Sequence, residues 1–550
     1  MKPLILIVLI FSWSFVSQGQ TESSIYNIEI NYSTKNTKVK TDENGNLYLT
    51  VSLKDSARFK ANGYVAYSDF GAKGDGKTDD FNSIVVTHAL ANKLHIPVHA
   101  DAGAKYYIGG NKHTAVIKTN TDFGSATFII DDSEVQNIKM PIFKVSSNHK
   151  AIKLKSIASL QKGQVKIDAT LSNSSIVTVT NNNVKHYIRF GLNKDHGSAQ
   201  SDLFLVDKNG YVNSETPIIW DFEQITSIKA LPIEATTLTI TGGEFVTIAN
   251  NAESKYNYYA RNININRSNV RVENLTHRII KEGEHGAPYS GFISIHDCSN
   301  VMIKNTLLTG HKTYQTIGSA GKPVSMGSYD IMMTRALNVS FINCSQTNDI
   351  NDPTYWGIMG SNYCKNILLD KCTFSRFDAH KGVANTSIKN STLGHMGINI
   401  IGTGTFTLEN SKILGRSLIN LRSDYGSTWQ GNITIRNCVF KPANGKFKKV
   451  HLFNGNYSGQ HDFGYTCHMP ENILIEGLQI IDTPSPKNYE GPTIFSDFNR
   501  LMTDDSYKEK FPYVKTNEVI LRNVSTTSKK PIRRSNNTFM FKDVIINYDQ

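Results

Sequence analysis

The sequence predicts an all-β solenoid of stacked parallel strands, closed at its N-terminal end by a helix. Three observations predict it. A short strand pattern bounded by asparagine returns nine times between residues 269 and 523, a helix follows a glycine-rich turn ahead of the repeats, and proline is scarce, 15 in 550 residues.

At the N-terminus, "MKPLILIVLIFSWSFVSQGQ" has one lysine, an apolar run from Leu4 to Trp13 and small residues before Gln20. This is the pattern of an export leader over 1–19. The run is shorter than the roughly 20 apolar residues that span a bilayer, so a secreted or periplasmic protein without membrane insertion is expected. Residues 20–62, with "IYNIEINYS" and "NLYLTVSL", alternate like strands and read as a small β extension.

"YSDFGAKGDGKTDD" (67–80) matches the phosphate-loop spacing through Gly71, Gly76, Lys77 and Thr78. Asp69, Asp75, Asp79 and Asp80 crowd the same span and would repel a polyphosphate, so the glycines read as turn formers. The segment after them, Thr78 to His95, reads as a helix capped by Thr78 or Asp79, with Ile84, Val85, His88, Ala89 and Ala91 along an irregular apolar stripe. A solenoid exposes the core of its first coil, and this helix is placed to cover it.

The repeat is "NVRVEN" at 269, "NVMIKN" at 300, "NVSFIN" at 338, "NILLDK" at 366 and "NTSIKN" at 385. "TFTLEN" at 405, "NITIRN" at 432, "NILIEG" at 472 and the looser "NEVILRN" at 517 continue it. Alternation at period two is a strand with one buried face, and a closing Asn tolerates the left-handed dihedrals of a tight turn. The shortest intervals, 19 and 20 residues, fit one coil of three short strands, and longer ones imply inserted loops. Cys298, Cys344, Cys372 and Cys438 border strand copies and read as inward-stacking core residues. With no CxxC pair, a structural zinc site is not expected.

"DFGAKGDGKTDD" followed by a helix resembles the entry motif of the pectate-lyase-like right-handed β-helices. That superfamily includes glycoside hydrolase family 28, polysaccharide lyases and phage tailspikes. The motif covers some 30 residues, and the repeat extends the resemblance over most of 65 to 550. The resemblance implies a right-handed parallel β-helix over 63–550 that acts on polysaccharide. Family 28 carries Asn-Thr-Asp, Asp-Asp, Gly-His-Gly and Arg-Ile-Lys motifs. Here "TND" (347–349) is a permuted form of the first and "GHMG" (394–397) places His395 nearest the third. Asp378 is the nearest acid to the second, and "RSD" (422–424) departs from the last.

The polar stretches between strands hold the candidate chemistry: Asp349, Asp352, Asp378, His380, His395 and Asp424 as catalytic groups, with His311, Lys381, Arg422, Tyr425 and Trp429 as substrate contacts. Hydrolysis needs a protonated acid and usually a second carboxylate, which Asp349 or Asp352 with Asp378 or Asp424 could supply. Elimination from a uronate needs a cation on the carboxylate and a base on the adjacent carbon, met by Arg422 with Lys381, His380 or His395. Calcium held by Asp349, Asp352 and Asp378 could neutralise the carboxylate instead; otherwise no cofactor is expected. A module that only binds glycan would need just the aromatics and the charge. The formal net charge of +12 and the scattered lysines point to an anionic polysaccharide rather than nucleic acid, acted on by a monomer. The expected activity is that of a glycoside hydrolase, with a lyase as the alternative. The long loop "QHDFGYTCHMP" (460–470) could fold back over the groove.

Overall fold

The computed structural model describes residues 28–110, 112–190, 194–318 and 320–549. The expected export leader lies outside them. From Val65 onward the chain winds into a right-handed parallel β-helix of three sheets, each strand pairing with its counterpart one coil on.

The repeat forms the first sheet. Val270–Glu273 pairs with 301–304, then 339–342, then 367–370, in unbroken register. Both asparagines that bracket a copy are left-handed, as at Asn269 (φ 56°), Asn274 (58°), Asn300 (57°) and Asn305 (50°). Their amides then ladder from coil to coil: Asn300 donates to Asn269 at 2.9 Å, Asn338 to Asn300 at 3.0 Å and Asn366 to Asn338 at 2.8 Å. The turn residue thereby pairs the polar groups that the corner would leave open. Val270, Val272, Val301 and Ile303 point inward and are buried, and all six cysteines are buried and unpaired.

The glycine-rich turn is architectural. Gly71, Gly74 and Gly76 have φ of 92°, 61° and 74°, and a Cβ on Gly74 would lie 2.8 Å from that of Ala104. The acids hold the turn through backbone donors: Asp80 accepts from Lys73 and Gly74, and Asp75 from Lys77 and Thr78. Helix α2 (Phe81–Leu94) follows and buries Phe81, Ile84, Val85 and Leu90 on the first coils. It starts three residues later than expected, with Asp80 rather than Thr78 or Asp79 at its cap position, because Asp75–Asp79 is drawn into a strand against 105–107.

Two features depart from the expected outline. The extension closes with a helix, α1 (Leu53–Asn62), where Ser52 caps the amide of Asp55 and Gly63 (φ 76°) ends it. The β-helix is also interrupted. Between Phe143–Ser146 and Leu238–Ile248 the chain leaves to build an antiparallel four-stranded sheet with its own core of Val177, Phe204 and Phe222. This insertion docks back through Lys365 and Asp202, paired at 2.6 Å and both almost fully buried.

The insertion leaves from the corner between the third and first sheets. The third sheet runs through 263–266, 293–295, 331–333, 359–361, 398–400 and 451–454. Among the described residues no helix is long and apolar enough to cross a membrane.

Candidate functional site

One corner of the β-helix gathers most of the ionisable candidates. The strand Thr373–Lys389 carries Arg376, Asp378, His380 and Lys381 towards it. Ser361 pairs with Ala379 but Asn362 with Lys381, so His380 is the extra residue of a bulge, a distortion that re-aims one side chain. Gly382 (φ 70°) is needed next: a Cβ there would fall 2.1 Å from the Tyr187 hydroxyl. Two coils on, Ser417–Leu421 leads through extended Arg422 into a short turn, Ser423–Tyr425, closed by Gly426 (φ 92°).

Asp378 is 1% exposed and held between two guanidinium groups, 2.6 Å from Arg376 and 2.6 Å from Arg422. Arg422 bridges onward to Asp424 at 2.9 Å. Burial alone would raise Asp378, but Arg376 and Arg422 outweigh it and hold the carboxyl below its ordinary range. Asp424 behaves likewise, raised by burial and lowered further by Arg422. Both acids are therefore ionised at neutral pH.

His380 is 27% exposed. Burial and then Arg422 push its pKa down to about 3, so the ring is neutral. Arg189 Nη2 donates to Nε2 at 3.3 Å, and Nδ1 lies 3.1 Å from the Asn362 amide oxygen. This network assigns the proton to Nδ1 and the lone pair to Nε2. Lys381 lies against Ser198 at 3.1 Å, and burial lowers its pKa.

Arg189 comes from the insertion and was missed by reading the coils alone. It also donates to the Tyr425 hydroxyl at 3.0 Å and lies 3.7 Å from Asp424. The insertion is thus part of this corner. Its trace in the sequence is the absence of any strand-and-Asn copy between the capping helix and residue 269. The loop 460–470 does fold back here: Tyr465 donates to the Tyr425 carbonyl at 3.0 Å and stacks on Trp220 of the insertion.

The other candidates lie elsewhere. Asp349 and Asp352 cap their own loop, accepting from the amides of Asn351 and Thr354, and His395 Nδ1 lies 3.0 Å from the Ile350 carbonyl oxygen. These three precede the third-sheet strands, whereas Arg422 follows one. With Asn399 opposite Asn420, Arg422 is level with Ile401, whereas His395 sits in the bulge between Leu393 and Gly397 ahead of that strand stretch. The three-carboxylate calcium site is therefore not assembled, and among the described residues no three His, Cys, Asp or Glu side chains are placed to hold a metal ion together. Tyr425 and Trp429 offer no ring to a sugar. Tyr425 is covered by Arg189 and Tyr187, and Trp429 is fully buried against Phe406.

His311 is also buried, in a relay of its own. Asp330 accepts from His277 at 2.8 Å and lies 3.1 Å from His311 Nε2, while Glu282 lies 3.5 Å from the other ring nitrogen. Burial would lower His311, but Asp330 and Glu282 raise it to about 9; Asp330 is raised by burial and lowered by His277 and His311 to about 2. The His311 contribution is complete below its unfolded value of ~6.5 and lost as pH rises through about 9. That of Asp330 is present above ~3.8 and lost as pH falls through about 2. Unfolding free energy should therefore fall by on the order of 3 kcal/mol between pH 6.5 and 9. Urea titrations of the wild type and His311→Asn should show this slope only in the former; equal slopes would refute the charged relay.

Beside the corner cluster, a cleft of about 600 Å³ opens on the outer face of the third sheet. Asn420 and Ser423, on either side of Arg422, line it, and the Asn454 amide donates to Asn420 at 2.8 Å across its floor. The volume lies within the roughly 300–1,000 Å³ of ligand sites.

The sequence matches no known family profile and no curated protein. Solved structures share the architecture. The tailspike gp61 of Pseudomonas phage phi297 is 14% identical, with 86% of this chain and 84% of that one aligned and a TM-score of 0.50. The tailspike gp49 of Pseudomonas phage LKA1 is 13% identical over 84% of this chain and 81% of that one, TM-score 0.49. The gp54 tailspike of Acinetobacter baumannii phage AP22, solved with a capsular saccharide, is 12% identical over 92% and 81%, TM-score 0.49. The likeness is one of fold, the right-handed β-helix that the entry motif implies, and none of these structures singles out glycoside hydrolase family 28.

Proposed function

We propose that this protein is an exported enzyme that cleaves an anionic, uronate-containing polysaccharide by β-elimination at the corner between the insertion and the β-helix. The observation that carries the reading is the charge state of the cluster. Arg189, Arg376 and Arg422 surround two carboxylates that they hold ionised, Lys381 lies alongside, and a neutral histidine stands at the exposed edge. Hydrolysis needs a carboxylic acid that is protonated when substrate binds. Asp378 and Asp424 are both held below the ordinary carboxylate range, which supports elimination over the hydrolysis expected from the number of acids.

In this reading Arg189 and Arg422 take the uronate carboxylate, and Arg189 swings from His380 to do so. His380 Nε2 accepts the proton from the carbon next to the carboxylate. The electron pair left behind forms the new carbon–carbon double bond, and the bond to the glycosidic oxygen breaks with its pair on that oxygen. The Lys381 ammonium, made more acidic by burial, returns a proton to it. A base with a lowered pKa stays competent in mild acid, so the acid limb of kcat/KM falls well below the ordinary histidine value of ~6.5.

Digestion of uronate polymers, followed by reducing ends and by the ultraviolet absorbance of a carboxylate-conjugated double bond, tests this. Both signals should rise together, and His380→Ala should lower them at least ~100-fold with unfolding unchanged. Reducing ends without absorbance would identify a hydrolase and overturn the elimination reading.

A further inference from the structure

The cleft beside the cluster carries cations that the cluster chemistry does not use. Lys449 and Arg500 both line it and both are exposed. Neither has an acidic partner among the described residues. The nearest wall acid, Asp497, is within 3.1 Å of the Asn537 amide rather than an arginine. Lys449 leads into the strand His451–Asn454 and Arg500 follows Thr493–Phe495 one coil on, so the two stand at opposite ends of the cleft. Between them the surface is polar, with Asp497 as its one lining acid: Asn420 and Asn454 ladder across the floor, and Asn456 lies beyond.

Unpaired cations over a floor of amides form a place for an oxyanion attached to a polyhydroxylated chain. The amides match hydroxyl groups, and the cations match a charge that water alone would otherwise solvate. His451 reports the same field: burial first, then the positive charges of Lys449 and Arg533, lower its pKa to about 4, leaving a neutral ring against Thr493.

We propose that Lys449 and Arg500, at opposite ends of the cleft, form a subsite that holds further anionic groups of the glycan, carboxylates or sulfates on residues other than the uronate held at Arg422. The substrate class is then a polyanionic chain with charge on more than one residue of the bound stretch. This deepens the elimination reading and rests on it only for which group sits at Arg422.

Binding separates the two. Calorimetry uses the full chain carrying His380→Ala, which holds substrate without turning it over. Its probes are a homopolyuronate oligosaccharide, a sulfated oligosaccharide with alternating uronate and amino sugar, and the desulfated form of the latter. Lys449→Gln with Arg500→Gln should weaken binding of the recognised polyanion at least ~10-fold. In the His380-intact enzyme the pair should raise KM by the same factor with kcat little changed. Loss on the homopolyuronate identifies a carboxylate at the subsite; loss on the sulfated probe but not its desulfated form identifies sulfate. Unchanged affinity for all three probes, or no binding by the parent chain, overturns the subsite. Binding that depends on Lys449 and Arg500, with no turnover by the His380-intact enzyme, keeps the subsite and removes the elimination reading.

Discussion

Arg422→Ala is expected to lower turnover of an anionic glycan by ~100–1,000-fold, the effect of losing one preorganised charge partner at a reacting centre. It should also destabilise the fold. Arg422 spans Asp378 and Asp424, and without it Asp378, 1% exposed, keeps Arg376 alone. Breaking a buried pair by removing one partner costs about 3–5 kcal/mol. Arg422→Lys separates the two effects. An ammonium keeps one charge beside Asp378 but cannot bond two carboxylates along two edges, so it should recover more stability than activity. Turnover and denaturant unfolding, measured on all three proteins, check this. Full activity in Arg422→Ala would exclude the corner as the reacting centre.

Lys365→Met should be the most damaging substitution outside that cluster. It leaves the Asp202 carboxylate, 1% exposed, without a counter-charge at the junction between the insertion and the β-helix, again at about 3–5 kcal/mol. Asp202 also accepts from the amide of Ile219, so the carboxyl cannot be deleted outright. The double variant Lys365→Met with Asp202→Asn keeps that acceptor and removes both charges, and is expected to regain most of the stability. Because the insertion supplies Arg189, proteolysis should open the insertion of the single variant and activity should fall with it. A double variant as unstable as the single one would show that the ion pair is not what docks the insertion.

The architecture was legible because its rule is local and repeated. Each copy of the strand needs two left-handed corners and an inward apolar pair, and Asn with alternating Val or Ile writes both into six residues. The site was only partly legible. Asp378, His380, Lys381, Arg422 and Asp424 do converge, because residues at the same level of third-sheet strands two coils apart share one corner. Asp349, Asp352 and His395 were grouped with them because spacing along the chain does not say which end of a strand a loop occupies. Trp429 reads like a stacking platform, yet its position in the strand Trp429–Arg436 turns it inward. Arg189 had no local mark, since its place depends on how the whole insertion, residues 147–237, folds and docks.

That dependence sets an order of events during synthesis. Arg189 and Tyr425 are 236 residues apart in the chain, and Tyr465, which closes over them, is later still. At ~5–20 residues per second, on the order of 10–50 s separate the emergence of the first two. The early coils can cap and stack from the N-terminal end meanwhile, since each contacts only its neighbours. A nascent or truncated chain that ends before the Arg422 coil would thus be well wound, with the insertion finished and Arg189, Asp378 and His380 in place but Arg422, Asp424 and Tyr425 still missing. The charge cluster at that corner is complete only once the chain has been laid down as far as Tyr465.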